Sequence, residues 1–353
     1  MKQIKIGEKI IGKNSPMYIV VEAGCSYEGK IENALRFVEE AAKNGADAIK
    51  FQTFKAKNLV TKNSPQWWIP EEQRLGKKQI DLYSQQDKFG FEEYKKISDY
   101  CAKLGITFFS TPFDEESVDL LEKLNVPVYK IASTDLTNLP FLEYVAKKGK
   151  PIILSVGMGS LEEIKEAVQT ILSAGNDQII LLHCIVEYPT PMEHANLNFI
   201  KKLQKEFPDF PIGFSDHTIG IVAPVVAAVL GAKVLEKHFT IDKTIRGAPD
   251  HYLLSIDPKD LSNLSKDVRA AEASLGDEER VLLEYEKPAY EHGRRRIVAN
   301  TPIQKGQIIE KNMLACKRNN KGLYPKFIKD IIGKRAKVDL QEDDYIDFDK
   351  IEN

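Results

Sequence analysis

The chain has 353 residues, is 42% hydrophobic and 29% charged, and carries a formal net charge of −2, as expected of a soluble globular protein with more than one ordinary core. So small a net charge gives no electrostatic case for nucleic acid or a membrane surface as partner. The opening KQIKIGEKIIG lacks a signal-peptide core, no stretch is long enough to span a bilayer, and Cys25, Cys101, Cys184 and Cys316 show no CxxC spacing. A cytoplasmic protein with reduced thiols is expected, with Cys184 in the core and Cys25 available to a site.

Through residue 275, short β-branched runs alternate with longer amphipathic stretches. YIVVEA, DAIKFQ, ITFFS, PVYKIA, PIILSV, QIILLHC, PIGFS and KVLEKHF predict strands, eight in all. ENALRFVEEAAKNG shows helical spacing and ends at Gly45, and EEYKKISDYCAKLG, EESVDLLEKLN, NLPFLEYVAKKG, SLEEIKEAVQTILSAG and NLNFIKKLQKEF follow the same plan. The apolar run after FSDHTIG reads as a buried helix. Eight strand–helix units predict an α/β (β/α)8 TIM barrel over residues 1–275. An open doubly wound sheet fits less well, because no strand is followed by a Gly-rich phosphate fingerprint. The segment from Thr53 to Phe91 is too long for an ordinary loop and predicts a lid or wall, with Trp67 and Trp68 lining it or packing within it.

Beyond the barrel the pattern changes. Residues 276–293 read as a linker, and 294–353 as a small, mainly β domain with the strand-like pieces RRRIVAN, QIIEKNM and RAKVDL. The run Arg294-Arg295-Arg296 reads as a solvated or structural face.

A barrel's active site lies at the carboxyl ends of its strands, and here each end carries a polar group. These are Glu22; Lys50 and Gln52; Ser110 and Thr111; Lys130 with Ser133 beyond it; Ser155; His183; Ser215, Asp216 and His217; and Glu236 and His238. Period-two alternation in DAIKFQ puts Ile49 and Phe51 toward the helices and turns Lys50 inward. Lys130 in PVYKIAS is placed alike. Two interior lysines beside Thr111, Ser133 and Ser155 suit a phosphate, or a phosphate and a carboxylate. The alternative is internal ion pairing with Glu22 and Glu236. His217 and His238 sit at adjacent strand ends, with Glu236 two residues before His238. Imidazoles beside a carboxylate suit a divalent metal such as Mn2+, Fe2+ or Zn2+, and a hydrogen-bonded core pair is the alternative. His194, His251 and His292 lie in polar loops and receive no role.

These same residues carry a family signature. GADAIKFQTFKA, STPFDEESVDLLEKLNVPVYKIAS, KPIILSVGM, LLHC…YPTP, FSDHTIG and EKHFT resemble the sialic acid (nonulosonic acid) synthase family, whose members join phosphoenolpyruvate to an N-acetylated hexose. GQIIEKNMLACKRNNKGLYP and IGKRAKV resemble its antifreeze-like (SAF) domain. The resemblance implies that Lys50, Thr111, Lys130, Ser133, Ser155 and Ser215 bind phosphoenolpyruvate. It implies that His217 and His238 hold a metal, Mn2+ foremost with Mg2+ or Co2+ as alternatives. Glu22, Gln52, Tyr188 and Asp250 would face the sugar, and Glu22 would also handle a proton. Arg318 would reach the partner subunit's site in a domain-swapped homodimer.

Several positions depart from the family pattern: Ser26-Tyr27 where Asn-His is usual, Val156 after Ser155, Ile185-Val186 after His-Cys, and Asn-Asn after Arg318. They bear on the sugar more than on the reaction. N-acetylmannosamine or a close analogue is the expected acceptor, and a diacetamido-dideoxyhexose, as used in making legionaminic or pseudaminic acid, is the alternative. Two rival functions are a Schiff-base aldolase using Lys130 or Lys50 and an inactive sugar-binding homologue.

Overall fold

A computed structural model describes residues 1–24, 26–68, 76–244 and 253–352. The chain divides into two compact units, Met1–Gly276 and Asp277–Asn353.

The first unit opens with an antiparallel hairpin, β1 (Ile4–Ile6) and β2 (Lys9–Ile11). Eight parallel strands follow: β3 (Tyr18–Glu22), β4 (Ala48–Thr53), β5 (Thr107–Pro112), β6 (Tyr129–Ile131), β7 (Ile152–Ser155), β8 (Ile179–Cys184), β9 (Ile212–Asp216) and β10 (Val234–His238). Their order is β5-β4-β3-β10-β9-β8-β7-β6, and contact between β5 and β6 closes the ring. This is the (β/α)8 barrel that the eight runs predict. The hairpin covers its amino-terminal end, since the Lys2 amide donates to the Asp209 carbonyl at 2.7 Å and Gly7 lies against Thr107. Sequence reading missed it, although Ile4, Ile6 and Ile11 are buried in the barrel's own core.

Local signals set the helices. Ser160 and Asp257 cap Leu161–Ser173 and Pro258–Ser274 with reciprocal capping boxes, and Asp114 caps Glu115–Lys123 by accepting the Ser117 amide at 2.7 Å. Helix Ile31–Lys43 buries Ala34, Phe37, Val38 and Ala41 on one face. Helix Val222–Val229 corrects an expectation. It buries Ala223, Ala227 and Ala228 but exposes Val222, Val226 and Val229, so only one face is core.

The second unit pairs β11 (Arg295–Ala299) with β12 (Leu314–Arg318) and β13 (Arg335–Ala336) with β14 (Ile351–Glu352). Its core is Ile297, Ile303, Ile309, Leu314, Ile331, Leu340 and Ile346 among others. The segment read as a linker is not bare chain: it carries helix Lys287–Gly293 and belongs to this unit. Arg294 stacks over Tyr290 at 3.9 Å and Arg296 over Tyr324 at 3.6 Å, so two members of the triple-arginine run are packed on aromatic rings. Among the described residues no helix is long and apolar enough to cross a membrane.

The backbone of a neighbouring strand comes very close to Gly213 in β9. A Cβ there would lie 2.3 Å from the Val234 carbonyl oxygen and 2.5 Å from Leu182 Cδ2. Gly213→Ala should therefore destabilise the fold by about 3 kcal/mol, the upper end for overpacking. Urea unfolding measures this, and a change within experimental error would contradict the packing described.

Candidate active site

At the carboxyl end of the barrel a cavity of about 170 Å³ is lined by Glu22, Lys50, Gln52, Thr111, Lys130, Ser133, Ser155, Tyr188, Ser215, His217 and His238. The strand ladders bring these together from distant parts of the chain: His238 pairs with Glu22, and Glu22 with Lys50, across successive parallel strands. Two further residues, Asp250 and Arg318, are expected at the site from the sequence. Asp250 lies outside the described residues, as does Cys25. Arg318 ends β12 in the second unit, exposed, opposite Arg295 in the ladder.

Four buried charged groups form the cavity floor. Lys50 is ion-paired with Glu22 and donates to Thr111 Oγ1 at 2.8 Å, while Gln52 Nε2 donates to the other Glu22 oxygen at 2.9 Å. Lys130 donates to Ser155 Oγ at 2.7 Å and to the Ile131 carbonyl at 2.9 Å. Glu236 joins the two halves: its oxygens lie 3.8 Å from Lys50 Nζ and 3.9 Å from Lys130 Nζ, and Ser215 Oγ donates to it at 3.1 Å. Both readings of the lysines therefore meet in one arrangement, with ammoniums that face a cavity and are ion-paired within it.

The two carboxyls are pushed apart. Burial raises the proton affinity of Glu22, Glu236 adds to the rise, and Lys50 only partly offsets it. Burial also raises Glu236, but Lys130 and Lys50 outweigh it and hold that carboxyl below the usual range. Glu22 is thus the floor group suited to holding a proton.

His217 and His238 stand with ring centroids 5.4 Å apart, and Tyr188 packs on His217 at 4.2 Å. The Ile185 carbonyl lies 2.6 Å from His217 Nδ1. A carbonyl only accepts, so Nδ1 carries a proton, and in the neutral ring Nε2 presents the lone pair. Among the described residues no cluster of three or more His, Cys, Asp and Glu is placed to hold a metal. The donor set fits an ion held by two imidazoles, with its other positions left to water or substrate oxygens.

Three strand-end groups do not reach the cavity. His183 faces the helices, stacked on Phe214, with Nε2 2.8 Å from the Ala195 carbonyl. Ser110 pairs with Thr53 Oγ1 at 2.7 Å behind the barrel, and Asp216 also points outward, to Lys237. Cys184 is buried, as expected, and also lines the cavity, with Sγ 3.8 Å from His217 Nδ1. Period-two alternation from His183 would have found it. The departure at Tyr27 is absorbed by packing, since its ring stacks on Phe89 at 5.0 Å and meets Phe51 at 5.4 Å. The segment after β4 supplies a wall that sequence reading left open: Trp67, Trp68, Leu82 and Tyr83 all line the cavity, and Trp67 lies 5.8 Å from Tyr188.

The sequence matches the NeuB family over residues 37–280 and the SAF domain over residues 294–352. The chain belongs to the NeuB family. It is 42% identical over 351 residues to an uncharacterised protein of Methanocaldococcus jannaschii, covering 99% of each chain. It is 38% identical over 341 residues to the N,N'-diacetyllegionaminic acid synthase of Legionella pneumophila, covering 95% of this chain and 94% of that one. Among solved structures, the N-acetylneuraminic acid synthetase of Leptospira borgpetersenii superposes with a TM-score of 0.73 at 34% identity, covering 82% of this chain and 95% of that one.

The floor makes a stability prediction. In Lys50→Met, Glu22 loses its buried counter-charge, which should cost about 3 kcal/mol at neutral pH. Glu22 already has a raised folded-state pKa, so its contribution to stability is present below the ordinary carboxylate range and is lost as pH rises through the folded value. The deficit of the variant against the unsubstituted protein should therefore shrink toward about pH 5. Urea unfolding at both pH values checks this, and an equal deficit at each would contradict it.

Proposed function

We propose that this protein is a nonulosonic acid synthase that condenses phosphoenolpyruvate with an N-acetylated hexose and releases inorganic phosphate. The observation that carries the reading is the pair of buried ammoniums, each bonded to a hydroxyl, converging on one cavity beside two imidazoles. Family membership and the names of the Legionella and Leptospira relatives support it.

In this reading Lys50 and Lys130 offset the phosphate and carboxylate charges of phosphoenolpyruvate, with Thr111, Ser133, Ser155 and Ser215 as hydrogen-bonding partners. The Gly157 amide, 3.0 Å from Ser133 Oγ, orients that hydroxyl. Carbon 3 of phosphoenolpyruvate bonds to the aldehyde carbon of the open-chain sugar, whose oxygen takes up a proton. Water bonds to carbon 2 and gives up both protons, one balancing that taken up by the aldehyde oxygen and one leaving with phosphate, as the carbon–oxygen bond to phosphate breaks and carbon 2 becomes a ketone. Glu22 holds a proton at the junction of the two substrates. A divalent ion, Mn2+ foremost, held by His217 and His238 would supply Lewis-acid polarisation of the acceptor's carbonyl oxygen.

One observation favours the more apolar acceptor. The wall around the outer cavity is Trp67, Trp68, Leu82, Tyr83, Met158 and Val186. Apolar surface of this kind gains more from the methyl groups of a diacetamido-dideoxyhexose than from the hydroxyls of N-acetylmannosamine. The homodimer implied by the resemblance is part of the same proposal, and sedimentation of the purified chain checks it.

Phosphate release from phosphoenolpyruvate, assayed across a panel of N-acetylated hexoses, tests the reading. Release should require both substrates, be highest with a diacetamido sugar, stop with chelator and return with Mn2+. Lys130→Ala should raise the KM for phosphoenolpyruvate roughly ten- to hundredfold, the worth of a charge-assisted contact, while moving the sugar KM little. No phosphate release with any sugar, or a trapped adduct on Lys130 or Lys50 after borohydride, would replace this function with another.

A further inference from the structure

Directly behind the two imidazoles, on the helix-facing side of the same strands, lies a second ion pair. Alternation sends Ser215, Glu236 and His238 inward and Asp216 and Lys237 outward, and the ladder sets Lys237 opposite Asp216. Both side chains are fully buried, with 0% exposure, and Lys237 Nζ lies 2.6 Å from Asp216 Oδ2. The same ammonium donates to the Thr218 carbonyl, and Asp216 Oδ1 accepts the Thr218 amide at 2.8 Å. Both backbone polar groups of Thr218 are thereby tied to this pair. His217 sits between Asp216 and Thr218, and its own carbonyl accepts the Thr190 amide at 2.9 Å.

We propose that Asp216 and Lys237 are positioning residues that fix the spacing and orientation of His217 and His238 for metal binding. The inference rests on the reading that those imidazoles hold a divalent ion. A buried ion pair seldom stabilises a fold more than apolar side chains of equal volume. What this pair supplies is geometry. One charge stands on each of two neighbouring strands, each a single residue before an imidazole, and the bond between them runs across the ladder. An ion held by two imidazoles depends on their separation, because among the described residues no third His, Cys, Asp or Glu is placed to hold it. Outer-shell partners of metal ligands typically account for roughly 10–100-fold in affinity.

The test is isothermal titration of Mn2+ into the chelator-stripped full chain, with thermal unfolding and the phosphoenolpyruvate KM recorded alongside. The variant Asp216→Leu/Lys237→Met removes both charges at once, so neither is left buried alone. It should fold and keep its phosphoenolpyruvate KM within about threefold, yet bind Mn2+ at least roughly tenfold more weakly. Unchanged Mn2+ affinity in the folded variant would make the pair a purely structural bridge and overturn the proposal. If that variant does not fold, Asp216→Asn/Lys237→Gln, which retains hydrogen-bonding groups of similar size, decides by the same measure. Its Mn2+ affinity should fall by about threefold or more, and unchanged affinity overturns the proposal. A failure of the underlying metal reading looks different, because the unsubstituted protein would then take up no Mn2+ at all.

Discussion

Burying an ammonium group costs several kcal/mol unless a counter-charge and hydrogen bonds meet it, and this barrel buries two that face the cavity at the carboxyl ends of its strands. Lys50 and Lys130 are balanced by Glu22 and Glu236, with Thr111, Ser155, Ser215 and Gln52 satisfying further positions. The balance is not symmetric. Glu236 lies within 4 Å of both lysines, which lower its proton affinity, while burial raises that of Glu22. An anion entering beside the lysines would meet a floor in which one carboxyl holds its charge more readily than the other.

The parallel ladder makes such a floor possible. Residues at one level of neighbouring strands stand side by side, so Glu22, Lys50 and His238 become neighbours although they are far apart in sequence. Alternation then divides each strand end between two layers. Inward positions carry the cavity chemistry, and outward positions belong to the packing between barrel and helices, where Asp216, Ser110 and His183 find partners of their own. Both layers are bonded, the inner among its own charged groups and the outer among the packing residues.

Most of this was legible in the sequence, for definite reasons. The strands are short, β-branched and regularly spaced, and Lys50 flanked by Ile49 and Phe51 can turn only one way if the apolar pair meets the helices. Where reading failed, the signal was weak or the wrong rule was applied. Counting polar residues near a strand end, without following alternation, placed His183 with the site and left Cys184 out of it. Hairpin β1–β2 offers only three residues per strand, too few for periodicity to register. The valines of Val222–Val229 look like core by composition, yet three of them face outward, which composition cannot reveal.

The wall of the cavity was legible only as an overlong segment between strands; its aromatic contacts were not, and the reason bears on specificity. Strand residues are fixed by hydrogen-bonded register, so the charged floor has little freedom to differ without disturbing the barrel. The wall comes instead from the segment between β4 and helix Phe91–Leu104. There, Trp67, Trp68 and Tyr83 hold one another through ring contacts of 5.6 and 6.0 Å, and Trp67 leans toward Tyr188. Such contacts depend on shape and follow no period, so nothing in the sequence announces them. They can also change without cost to the ladder. A barrel of this design can therefore hold one reaction constant at its floor while its acceptor is chosen by the aromatic side chains at its mouth.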